Sequence, residues 1–158
     1  MAEIIDVEII NPFIQGTMKV MSEAAQINLK MGKPSVKSLS FTDDKLRIIV
    51  GITGQMTGNV IISLSMENAK KTASAMMMGM PVEELNDMAK SAISELGNMI
   101  MGTSSTIIAG KGLLTDITPP VIERGESYMD VKNLSNICIP MLLGEETFME
   151  LNIVVKKN

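Results

Sequence analysis

LRIIVGITGQMTGNVIISLS, residues 46–65, reads as two strands and the turn between them. The first half, LRIIVGITG, is rich in Ile and closes on turn residues. The second, TGNVIISLS, has the continuous apolar centre of a strand buried on both faces. The pattern predicts strands at Lys45–Thr53 and Gly58–Ser65, with a third strand-like run ahead of them at Ser35–Phe41.

Upstream, Asn11–Met31 is expected to be helical. Asn11 suits the N-cap and Pro12 the first helical position, where its missing N–H costs nothing. Gly32 and Pro34 are expected to stop it. Downstream, Met66–Met78 predicts a second helix ended by Gly79 and Pro81. The longest helix is expected from Asn86 to about Ala109. Its apolar stripe is Ala89, Ala92, Ile93, Leu96, Ile100, Thr103 and Ile107. An extended piece, ITPPVIERG, follows, and then strands are expected at Ser127–Val131, Ser135–Leu143 and Thr147–Val155.

The order repeats: a long helix and then three extended segments, at 11–65 and again at 86–155. This predicts an α+β, two-layer fold with a pseudo-twofold repeat, its long helices packed on a largely antiparallel sheet. Residues 1–158 form one domain, with no linker or low-complexity segment between the halves.

Composition narrows the function. Hydrophobic residues make up 46% and charged residues 20%, as in a chain that folds around a core. With 3% aromatics and 16 Met, that core is expected to be Ile, Leu, Val and Met, although Met also serves adaptable interfaces. A net charge of −4 without a basic stripe argues against nucleic acid. No apolar run is long enough for a membrane span, and the acidic MAEIIDVEII does not suit a signal peptide, so a cytoplasmic location is expected. Cys138 lies in the apolar run ICIPMLL and reads as an inert buried thiol. The chain has no His, which removes Ser-His-Asp and Cys-His catalysis and His-based metal sites. Any chemistry must come from carboxylates, amides, hydroxyls or a partner.

One candidate for that chemistry lies on the longest helix. Ser91, Glu95, Asn98, Gly102 and Ser105 fall along one line of it, opposite the apolar stripe. A purely solubilising face would favour better helix formers. Gly97, Asn98 and Gly102 are unfavourable there, which suggests that another surface approaches closely. The spacing by itself also fits an ordinary solvated face.

The helix with S-x3-E-x2-N, followed by Pro120, resembles the chemotaxis phosphatase family of CheC, CheX and FliY. NPF, GKP, VGITGQMTGNVIISLS, SELGNMIMG and ITPPVI look most like CheX members, across essentially the whole chain. The resemblance implies hydrolysis of the aspartyl-phosphate on a CheY-type response regulator. Asn98 would orient the attacking water, and Glu95 would dock to the regulator's active-site Lys. Ser91, with Pro120, would support docking; Gly102 and Ser105 are expected to leave room for the regulator's loops. The chain would need no cofactor of its own, since Mg²⁺ comes with the phosphorylated regulator. CheX-like dimerisation through the sheets is expected, and the extra switch domain of FliY is not. CheC-like members carry the motif on both long helices. Here Glu23 and Gln26 repeat the spacing behind Lys19, which reads as a degenerate copy and implies one active site. A non-catalytic binding module and a structural homodimer remain open as alternatives.

Overall fold

A computed structural model of the chain describes residues 7–36, 39–41, 45–125, 127–129 and 136–158. The first helix, α1, spans Val7–Ala25. Short strands β1 (Lys30–Met31), β2 (Ser35–Val36) and β3 (Leu39–Phe41) follow. The opening stretch forms the hairpin of β4 (Lys45–Gly54) and β5 (Met56–Ser65). Then come α2 (Met66–Met76) and α3 (Asp87–Gly110). The chain continues through β6 (Thr115–Ile117), β7 (Val121–Arg124), β8 (Ser127–Met129), β9 (Ile137–Leu143) and β10 (Glu146–Lys157).

The main sheet runs β1-β9-β10-β5-β4-β6, with β2 also on β9 and β7 also on β4; β3 pairs β8 in a separate ribbon. Every strand pairing among the described residues is antiparallel. The pseudo-twofold repeat is therefore a long helix with five strands rather than three. Its halves are interlocked. The short strands after α1 lie on β9 of the second half, and those after α3 lie on β4 of the first. The hairpins β4–β5 and β9–β10 meet at the centre, where Ile61 faces Asn152 and Ile62 faces Leu151.

Val60 through Leu64 are all buried, as a strand covered on both faces requires. Their core partners include Ile48, Val50, Leu151 and Ile153 from neighbouring strands, and Phe13, Met21, Ile93, Leu96 and Ile100 from the helices. The methionines divide. Met21, Met56, Met101, Met141 and Met149 are buried, while Met31, Met78, Met80 and Met88 are exposed. Cys138 is buried in β9, its thiol 3.0 Å from Glu150 Oε2. No helix among the described residues is long and apolar enough to cross a membrane.

Two helix boundaries differ from the sequence reading. α1 does not begin at Asn11; Pro12 lies inside it. Extending the helix toward the N-terminus buries Ile9 and Ile10 in the core. Burial of that kind contributes about 1.5–3 kcal/mol per side chain, enough to offset a proline cost of about 3 kcal/mol. Nor does α1 reach Met31. Gln26 turns to φ +52°, Ile27 N–H donates to Met21 O at 3.0 Å, and the chain leaves to place Lys30 and Met31 against β9. The ITPPVIERG segment pairs as β6 and β7. The expected continuation of β8 to Val131 and of β9 back to Ser135 falls partly outside the described residues.

α3 starts where expected. Asn86 is its N-cap, its side chain accepting from Ala89 N–H at 2.9 Å. Its buried stripe is Ala89, Ile93, Leu96, Gly97, Ile100, Met101, Ser104 and Ile108, so Ala92, Thr103 and Ile107 sit at the margin. α1 crosses α3 at Gly16, where an added Cβ would collide with Ser104 Oγ and lie 3.1 Å from Ile100 O. Gly16→Ala is expected to lower stability by about 1–3 kcal/mol through overpacking, read from urea unfolding.

Candidate functional site

α3 puts the two expected chemical groups on one side. Glu95 and Asn98, one helical turn apart, are both exposed. They line a shallow depression of about 320 Å³ with Ser94, Ile117, Thr118, Pro119 and Pro120. Among the described residues, neither the Glu95 carboxylate nor the Asn98 amide has a hydrogen-bond partner within the chain. A carboxylate and an amide held on a long, anchored helix are thus free to engage something outside it.

The far wall of the depression is a bulge. β6 ends with Ile117 opposite Ile52, and β7 resumes with Val121 opposite Ile49. Thr118, Pro119 and Pro120 therefore oppose only Val50 and Gly51, and the extra residue pushes the edge strand out of the ladder. The prolines suit this position because they have no N–H to offer β4. The bulge reaches α3 beside Gly97: a Cβ built there would be 3.7 Å from Pro120 Cβ and only 2.6 Å from Ile48 Cγ2. Gly97 is thus explained by close packing of α3 on β4. It is buried and does not serve an outside surface, contrary to the sequence reading.

The remaining expected residues fall in different settings. Ser91 is exposed one turn before Glu95. Pro120 joins the pair directly, as a lining residue. Gly102 is half-buried, and an added Cβ there would meet nothing within 4 Å, so packing within the chain does not demand a glycine. Ser105 is turned toward the chain itself, its Oγ accepting from Thr115 Oγ1 of β6 at 3.4 Å. Ser94, Ile117, Thr118 and Pro119 were not singled out from sequence. The available signal was Thr-Pro-Pro interrupting an extended run, the mark of a bulge.

The internal repeat relocates the second copy of the motif. In α1, Thr17 Oγ1 donates to Phe13 O at 2.7 Å; in α3, Ser104 Oγ donates to Ile100 O at 2.7 Å. Superposing these bonds aligns Glu8 with Glu95 and Asn11 with Asn98. Glu23 and Gln26 are not the equivalent pair. Gln26 lies beyond the helix, and its side chain caps Glu23 O at 3.2 Å. The copy at Glu8 and Asn11 has a different setting. Ile10 stands at the place of Gly97, and α1 packs chiefly on α2 and α3, whereas α3 also lies on β4, β6 and β7. Glu8 lines a separate recess with Met56, Ile108, Lys111 and Lys157. The bulge-walled arrangement belongs to α3.

The fold is that of a CheC-like domain. A CheC-like superfamily protein from Shewanella sp. PV-4 superimposes with a TM-score of 0.84, at 22% identity over 96% of this chain and 99% of the other. The family model for chemotaxis phosphatase CheX matches residues 47–142. The CheY-P phosphatase CheX of Thermotoga maritima is 36% identical over 152 residues, covering 96% of this chain and 97% of the relative. The chain belongs to the CheX family. A Borrelia burgdorferi structure of a CheX–CheY–BeF₃–Mg²⁺ complex matches with a TM-score of 0.78 and 28% identity, over 96% of this chain and 100% of the other.

Because Gly102 has open space around its missing Cβ, Gly102→Ala is expected to raise stability by about 0.5–1 kcal/mol, the usual helical difference between the two residues. A thermal or denaturant melt of the isolated protein checks this.

Proposed function

We propose that this chain accelerates hydrolysis of the aspartyl-phosphate of a CheY-type response regulator. One observation carries the reading: Glu95 and Asn98 stand open and, among the described residues, unpartnered, on a packed helix beside the Thr118–Pro120 bulge. The family relationship supports it. Phosphoryl transfer asks a protein chiefly for an in-line nucleophile and stabilised charge. A helix presenting one carboxylate and one amide suits that task when the regulator contributes the phosphoryl group, its Lys and its Mg²⁺.

In this mechanism Asn98 enters the regulator's site and orients the attacking water. Its amide donates and accepts hydrogen bonds without ionising, so it can hold a water by lone pair and proton at once. Glu95 pairs with the regulator's active-site Lys and fixes the approach of α3, while Ser91 docks one turn earlier. Gly102 leaves room for the regulator's loops, and Pro120 closes the side of the depression. The water attacks phosphorus, the P–O bond to the aspartate breaks, and inorganic phosphate leaves. The reaction would take place in the cytoplasm, where such a regulator works.

The test is the decay of phosphate on a purified CheY-type regulator with Mg²⁺. Wild type is expected to accelerate it. Asn98→Ala should bind but lose on the order of a hundredfold in rate, the size of loss that misplacing a reacting group brings. Glu95→Gln should raise KM on the order of tenfold at low salt, and less at high salt, because the lost contact is charged. Full activity in Asn98→Ala would sink the mechanism. Binding without acceleration by the wild type would make the chain a binding module.

A further inference from the structure

The bulge that walls the site creates a hydrogen-bonding problem for β4. Pro119 and Pro120 have no N–H, so two of the three bulge residues cannot donate to the neighbouring strand. Gly51 lies opposite them, with its N–H and C=O both turned toward the bulge. Thr118 satisfies both. Its N–H donates to Gly51 O at 3.0 Å, and its Oγ1 accepts from Gly51 N–H at 2.8 Å. The hydroxyl thus takes the place of a ladder bond that the prolines cannot supply. The glycine lets Thr118 approach this closely: a Cβ built on residue 51 would lie 3.0 Å from Thr118 Cγ2 and 3.1 Å from Oγ1, so Thr118 would have to move by a few tenths of an ångström.

The first half of the chain contains a natural control. Between β1 and β2, Gly32, Lys33 and Pro34 bulge from β9 in the same manner, between Met31 opposite Met141 and Ser35 opposite Cys138. Gly32 N–H donates to Pro140 O at 2.7 Å, matching the Thr118 backbone bond. The hydroxyl bond has no counterpart there, because Gly32 has no side chain and Pro140 has no N–H to receive it. The second bond of the clamp occurs at the bulge that borders Glu95 and Asn98.

We infer that Thr118 is a positioning residue of the site. Its paired bonds to Gly51 fix how far Pro119 and Pro120 stand from the sheet, and that distance sets the wall beside the Asn98 amide. A fixed wall confines the amide to the orientations that hold a water in line. With the hydroxyl gone, Pro119 and Pro120 shift, and Asn98 samples unproductive orientations while Glu95 still docks. This inference rests on the phosphatase reading of the same site.

Steady-state dephosphorylation of a CheY-type regulator tests it, with wild type, Thr118→Val, Thr118→Ser, Gly51→Ala and Asn98→Ala side by side. Thr118→Val keeps the shape and removes the acceptor. It is expected to lower kcat about tenfold with KM within about twofold, since small misplacements of a catalytic geometry have effects of that size. Thr118→Ser restores the acceptor and is expected to restore kcat. Gly51→Ala displaces the same residue from the strand side and is expected to reproduce the loss, which keeps the test decisive if one variant folds poorly. Unchanged kcat in both Thr118→Val and Gly51→Ala, with wild type active and Asn98→Ala inactive, overturns the inference alone. A wild type indistinguishable from Asn98→Ala and from no addition overturns the phosphatase reading, and this inference with it.

Discussion

The architecture depends on the antiparallel pairing of β5 with β10. It joins the two halves of the repeat, from Met149 on Leu64 to Lys157 on Met56. Each strand of the pair is also one arm of a hairpin, so the contact sets the positions of β4 and β9 together. Those two strands receive the edges: β6 and β7 on β4, β1 and β2 on β9. The helices then cover a sheet whose register is already determined. α3 can present Glu95 and Asn98 at a defined height because β4 beneath it is held on both sides, by β5 and by the edge strands.

Within this near-symmetric frame, a few small differences set apart the half that carries Glu95 and Asn98. Gly97 allows α3 to settle on Ile48, where α1 carries Ile10. Thr118 and Gly51 stiffen one bulge, where the other has Gly32 and Pro140. α3 begins well before Glu95, so Ser91 is presented on regular helix, whereas Glu8 lies in the first turn of α1 as described. None of these differences alters the fold. Each alters how firmly a side chain is held, and the phosphatase reading proposed above would depend on that firmness.

Much of this was legible in the sequence, for identifiable reasons. The Ile-rich run from Leu46 to Ser65 reads as two strands and a turn from its apolar pattern, and the apolar stripe that begins at Ala89 marks α3. Glu95, Asn98 and Pro120 were recoverable because helical spacing is a local rule and the proline matched a known pattern. The misreadings were non-local. Pro12 suggested a helix start, but burial of Ile9 and Ile10, a tertiary gain, carried the helix past it. Gln26 ends α1 without a glycine or proline to signal it, because β1 must reach β9. The mate of Glu95 and Asn98 was sought at Glu23 and Gln26 by spacing alone. Only the crossing of the two helices at Gly16 identifies Glu8 and Asn11. Thr118 was invisible for the same reason, since its role lies in a bond to a residue far away in the chain.

The exchange of edge strands between halves also governs how the chain comes into being. β1 and β2 have their partner in β9, which is synthesised only after α2 and α3. Until then the β4–β5 hairpin has no β10, and its apolar residues lack their final cover. A structure built from pairings this distant in sequence closes late and as a unit. Neither half is a folding intermediate with a complete sheet of its own, so a chain arrested midway through synthesis holds unpaired strands, the kind of surface that chaperones protect.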